Sequence, residues 1–147
     1  MSEKVNHVGL AVADLDAEVD FWTGALDFER VGALDADDAS TGQLLQLDQP
    51  GLRAVYLRKG EFVLELLQFR GAGLVERPAR VVNELGLTHL SLNVPNMDAA
   101  LERVRAHGGE VLDDTRLWDV AVMIRTPAGQ LVELLVGFET PTTDLGE

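Results

Sequence analysis

Four residues spread along the chain, His7, Glu65, His89 and Glu133, have the side-chain types that together hold a divalent cation. Two neutral imidazoles and two carboxylates offer nitrogen and oxygen donors, neutralise two positive charges and leave coordination positions for water or substrate. The chain has no cysteine, so thiolate ligands are excluded, and the donor set suits one Ni²⁺, Co²⁺, Mn²⁺, Zn²⁺ or Fe²⁺ ion. The glutamates say most. Each interrupts an apolar run, Phe62–Phe69 or Leu131–Phe138, where an ionised carboxylate is costly unless it is paired or metal-bound. Singly, such residues carry little weight, because a lone histidine at the start of a strand is ordinarily structural and a lone strand glutamate ordinarily faces water.

The weight comes from repetition. Residues 7–22, HVGLAVADLDAEVDFW, align without a gap on residues 89–104, HLSLNVPNMDAALERV. Both segments open on histidine and continue with alternate apolar residues, Val8, Leu10 and Val12 or Leu90, Leu92 and Val94, which is a strand pattern. Asp14 and Asn96 then stand as N-caps. Leu15, Val19 and Trp22, or Met97, Leu101 and Val104, follow at helical spacing, and Gly24 and Gly108-Gly109 are stop signals.

The ends of the halves match as well. Strands Ala54–Leu57 and Val120–Ile124 lead through the turns Lys59-Gly60 and Pro127-Ala128-Gly129 into the two glutamate strands, so each half closes on a hairpin. The order in each half is β-α-β-β-β. The reading is α+β: two βαβββ modules forming a curved, partly open barrel-like mixed sheet with helices outside, within a single domain of residues 1–147. Module 1 spans about residues 4–70, a linker 71–86, module 2 87–139 and a tail 140–147. A short helix is expected over Val81–Leu85, and a mobile surface loop over residues 35–42.

Strand alternation puts each histidine and glutamate on the face opposite its apolar neighbours. Duplicated modules pair about a pseudo-two-fold axis, so His7 is expected to face His89, and Glu65 to face Glu133, around one cation. The ligands come from one chain or from two. An open sheet edge and an apolar face that need cover favour a homodimer. His107, beside the end of the second helix, is read as a surface residue that complements the helix C-terminus, outside the site.

Composition limits the partners. A formal net charge of −13, from 25 acidic against 12 basic residues, repels a phosphate backbone and anionic lipid, so neither nucleic acid nor membrane is an expected partner. No apolar segment approaches the roughly 20 residues that cross a bilayer, no secretion signal is evident, and the absence of cysteine fits a reducing cytoplasm.

The segments His7-Val-Gly-Leu-Ala-Val, Leu64-Glu-Leu-Leu67, Thr88-His-Leu-Ser-Leu-Asn-Val94 and Pro127-Ala-Gly-Gln-Leu-Val-Glu133 resemble the vicinal oxygen chelate superfamily, which includes glyoxalase I, bleomycin-resistance proteins and extradiol dioxygenases. The likeness covers nearly the whole chain. The His/Glu/His/Glu order is similar to that of glyoxalase I, and methylmalonyl-CoA epimerases have a closely related set. The resemblance implies a small-molecule substrate with vicinal oxygens and proton abstraction next to a carbonyl. A metal-stabilised enediolate or enolate would then lead to lyase or isomerase chemistry, with Glu133 or Glu65 as base. Epimerases of the family carry a glutamate where this chain has Gln46-Leu-Asp-Gln49, leaving Asp48 as the only carboxylate there. Two alternatives are an Fe(II) extradiol-type dioxygenase using His7, His89 and Glu133, against which Glu65 argues as a fourth ligand, and a metal-free drug-sequestering protein. Tyr56, Asn93, Trp118, Met123 and Arg125 are candidates for lining the substrate pocket.

Overall fold

Asp14 and Asn96 start helices as their types predict: Asp14 accepts from the Ala17 amide at 3.1 Å and Asn96 from the Ala99 amide at 2.9 Å. The computed structural model describes residues 2–71 and 73–143. Module 1 contains β1 (Val8–Ala11), α1 (Leu15–Gly24), β2 (Glu29–Ala36), α2 (Ala39–Leu45), β3 (Leu52–Lys59) and β4 (Phe62–Phe69). Module 2 contains β5 (His89–Asn93), α3 (Met97–Ala106), the two-residue β6 (Glu110–Val111), a 3₁₀ turn (Asp113–Thr115), β7 (Ala121–Arg125) and β8 (Leu131–Leu135). The two four-stranded sheets share one topology, β1-β4-β3-β2 and β5-β8-β7-β6, with the first pair parallel and the others antiparallel. The α+β class and the repeated module stand, and among the described residues no barrel closes within the chain.

The reason lies in how the apolar faces are used. Leu15, Phe21 and Trp22 of α1 and Met97, Ala100, Leu101 and Val104 of α3 are buried in one continuous core. Val55, Leu57, Leu64 and Leu66 of the first sheet belong to that core, and so do Val122, Ile124, Val132 and Leu134 of the second. Both sheets therefore turn their apolar faces to the same two helices, and burial of that shared surface is the main favourable term holding the modules together.

Polar ties lock this seam. Glu18 of α1, 1% exposed, accepts from Trp22 Nε1 at 2.9 Å and from the Ala128 amide in the β7–β8 turn of the other module. Burial pushes its carboxyl above the ordinary range, opposed by those hydrogen bonds. His107 meets Asp20 at 2.9 Å across the seam, and Arg103 donates to the Ala25 carbonyl. His107 thus joins the modules and is more than a surface cap.

Residues 35–42 form no open loop. β2 pairs with β3 as far as Ala36↔Leu52, and Asp38 caps α2 through the Thr41 amide, so ladder and capping hydrogen bonds order a stretch whose acidic composition reads as loop. The Val81–Leu85 segment is a turn rather than a helix. There Arg80, 7% exposed, donates to the carbonyls of Glu84 and Leu85 and so takes up acceptors that a helix would bond within itself. Of the 140–147 tail, residues 144–147 lie outside the described residues.

Among the described residues no helix is long and apolar enough to cross a membrane. The two tryptophans differ sharply. Trp22 is buried, whereas Trp118 is 83% exposed at φ +49° on a turn held by Arg116, which reaches the Trp118 carbonyl, Asp98 and Asp119.

Candidate functional site

The parallel register of β1 on β4 puts Gly9 opposite Glu65, with His7 two residues back on the same face. The register of β5 on β8 repeats this, with Ser91 opposite Glu133 and His89 two residues back. In each module the histidine Nε2 consequently points at the glutamate, at 3.5 Å for His7 and Glu65 and 3.8 Å for His89 and Glu133. Each pair lies on the face its sheet turns away from the shared core.

The structure thus brings the four predicted ligands together as two and two. Among the described residues no three histidine, aspartate or glutamate side chains gather as a cation site. The convergence of all four that the repeat suggests does not occur within one chain, because the modules spend their apolar faces on each other and leave both polar faces outward.

Each histidine is held from behind. His7 Nδ1 lies 2.6 Å from Asn6 Oδ1, and His89 Nδ1 lies 2.7 Å from Thr88 Oγ1. Asn6 Oδ1 accepts, so His7 donates to it from Nδ1, and Nε2 faces Glu65. Anchoring one ring nitrogen while the other is free to ligate is how proteins orient metal-binding histidines.

The carboxylates have different company. Glu65 is buried, and its neighbour directly across the ladder on β3 is Tyr56. The pull of the Glu65 carboxylate on the phenol proton, followed by burial and the carboxylate charge, pushes the phenol up to about 12. The His7 and Tyr56 rings meet edge to face at 5.7 Å. Glu133 faces Met123 on β7 and accepts from Ser91 Oγ at 2.6 Å. Asn6, Thr88 and Ser91 escaped the sequence reading. A polar residue directly before each repeated histidine was the available signal for the first two.

The expected pocket residues divide. Tyr56 and Met123 flank the glutamates on the outward faces. Asn93 binds the backbone of Phe138 at 2.9 Å in both directions, and Arg125 is committed to the carbonyls of Gly129 and Arg80. Trp118 stands on an exposed turn. Asp48 precedes β3, whose Leu52 pairs with Phe69, four residues and about 13 Å along β4 from Glu65. It lines an open hollow beside α2 with Asp37 and Asp38, and register gives it no place beside Glu65.

Comparison with known proteins bears on this arrangement. Residues 4–134 match the model of the Glyoxalase/Bleomycin resistance protein/Dioxygenase superfamily. The chain is similar to a 2-epi-5-epi-valiolone epimerase from an Actinomyces species, 30% identical over 143 residues that cover 89% of this chain and 78% of that protein. In fold it is similar to a glyoxalase family protein from Bacillus cereus (TM-score 0.80, 19% identity, 93% and 97% of the two chains). It is also similar to the fosfomycin resistance protein FosX from Listeria monocytogenes, in a mutant form complexed with Mn(II) and 1S,2S-dihydroxypropylphosphonic acid (TM-score 0.64, 17% identity, 94% and 95%).

Proposed function

The chain belongs to the glyoxalase/bleomycin resistance protein/dioxygenase superfamily, and on that premise we propose that it is a divalent-metal-dependent isomerase or lyase that moves a proton next to a carbonyl of a small substrate with vicinal oxygens. The observation that carries this reading is the pair of half-sites, each a histidine Nε2 directed at a carboxylate on an outward face. A second copy, in a homodimer, would set the His7 and Glu65 of one chain against the His89 and Glu133 of the other. The donor set fits a divalent cation, since each imidazole is anchored through Nδ1 and the buried Glu65 needs a compensating charge.

When bound, the cation would supply Lewis-acid stabilisation of the oxyanion that develops as the C–H proton leaves. The chain's own residues do the rest. Glu133 is the partly exposed carboxylate, and its Oε2 has no protein partner among the described residues, so it is placed to take the proton and return it. Glu65, enclosed between Tyr56 and His7, holds position. Return of the proton by Glu133 to the neighbouring carbon on the same face gives an isomer. Delivery of a solvent proton to the opposite face would give an epimer, the product class in the name of the Actinomyces relative. A fourth protein donor also disfavours dioxygen activation, which needs open positions beside two histidines and one carboxylate.

Subunit complementation tests this. His7→Ala and His89→Ala homodimers should each lose tight Mn²⁺ binding, because each removes a ligand from every site. Co-refolded in equal amounts, half the dimers are mixed and each mixed dimer keeps one intact site, so about a quarter of wild-type binding should return. A site built within one chain would recover nothing, and full-strength binding by the double variant would show that these histidines are not ligands.

A further inference from the structure

We infer that Tyr56 and Ser91 are positioning residues, one hydroxyl per module, that aim Glu65 and Glu133 for the cation, and that Tyr56 matters more. The inference rests on the metal reading above and adds to it two residues that belong to no His/Glu ligand pattern. The register is the same in both modules: each glutamate on its central strand has a hydroxyl-bearing neighbour directly across a ladder. They come from opposite sides. Tyr56 stands opposite Glu65 on the antiparallel β3, whereas Ser91 donates to Glu133 from the parallel β5. The positions that would correspond by repeat, Gly9 in module 1 and Met123 in module 2, offer no hydrogen-bond donor from their side chains.

The unequal weight follows from solvent access. The Glu65 side chain is 10% exposed and that of Glu133 33% exposed. Water can replace a lost serine hydroxyl at Glu133. It cannot easily enter beside Glu65, where the Tyr56 ring stands across the ladder and also packs against the His7 imidazole, so loss of the phenol hydroxyl removes the polar group nearest a buried carboxylate and water cannot take its place. Tyr56 touches both module 1 ligands at once.

The test is Mn²⁺ titration, with free Mn²⁺ counted by electron paramagnetic resonance, on wild type and on His7→Ala, Tyr56→Phe, Ser91→Ala and Ser91→Thr. His7→Ala should abolish tight binding. Tyr56→Phe should weaken it by about 10–100-fold in protein that stays folded, whereas a merely structural residue would lower the metal-free thermal midpoint and leave the Mn²⁺ affinity of the folded protein unchanged. Ser91→Ala should weaken binding less than tenfold, and Ser91→Thr should restore it. Wild-type affinity in Tyr56→Phe would overturn the inference while leaving the metal reading intact. Absence of Mn²⁺ binding by wild type would sink both. The chain has one tyrosine, which supplies a measurement that needs no Tyr56 variant. Ring-labelled tyrosine gives one set of NMR signals, which Zn²⁺ should shift in wild type and not in His7→Ala, and signals unmoved in wild type saturated with Zn²⁺ would equally overturn the role of Tyr56.

Discussion

Module 1 and module 2 place the same two side chains in the same register, yet they surround them differently. Glu65 is enclosed by a tyrosine and the edge of an imidazole ring, while Glu133 is a third exposed and held by a serine hydroxyl. Duplication fixed where the histidine and glutamate of each module sit. Divergence at the neighbouring positions, Gly9 against Ser91 and Tyr56 against Met123, then separated an enclosed carboxylate from a more exposed one. A repeated ligand pattern is therefore not evidence of repeated roles.

The sharpest way to break this comparison is to exchange each carboxylate for its amide. Glu133→Gln should lower kcat by roughly 10²–10⁴ if Glu133 moves the proton, with metal occupancy largely kept because the amide oxygen still ligates. Glu65→Gln should act chiefly on metal affinity. Exchange of the substrate α-hydrogen with deuterated solvent, followed alongside metal content, separates the two, and the reverse pattern would interchange the roles of the modules.

A second prediction asks whether the modules are independent. Glu18→Ala leaves Trp22 Nε1 and the Ala128 amide without their acceptor in the seam, at a cost of about 2–5 kcal/mol to global stability by urea unfolding. Two resolved transitions, one per module, would refute the single shared core. Glu18→Gln should cost less, since its amide oxygen still accepts one of those bonds.

The smallest effect concerns the phenol that only module 1 has. Its ordinary value of 10.0 is pushed up to about 12 by the Glu65 carboxylate. Folding thus favours the neutral phenol, so this contribution is complete below the unfolded value and fades as pH rises through the folded one. Phenolate absorbance of the metal-free protein should report the raised midpoint, and Glu65→Gln should bring it back toward 10.0. An unchanged midpoint in that variant would place the cause elsewhere.

How much of this was legible in the sequence depends on the range of the interaction. Alternating Val8, Leu10 and Val12, the caps Asp14 and Asn96, and the glutamates inside apolar runs are local signals, and the strands, helices and half-sites follow them. The ordering of residues 35–42 was hidden in two ways: Asp35 and Ala36 depend on pairing with β3, sixteen or more residues onward, and Asp38, the local cap of α2, is one of several polar residues in a stretch that reads as loop. The separation of the half-sites was hidden for a related reason. Whether two amphipathic modules bury their apolar faces together or apart is decided by surface complementarity between them, and nothing in either repeat encodes it alone. Ser91 lay inside the repeat, but its meaning needed the register that puts it across from Glu133.

One consequence follows from the contrast between Trp22 and Trp118. Indole emission moves to longer wavelength as its surroundings become more polar, so the chain carries two dyes of different colour. Trp22, buried and bonded to Glu18, emits from the blue side and senses the junction of the modules. Trp118, in water on a turn braced by Arg116, emits from the red side and senses whatever approaches that end of module 2. A single cuvette therefore reads the loosening of the interior and an encounter at the surface as separate optical signals, without any added label.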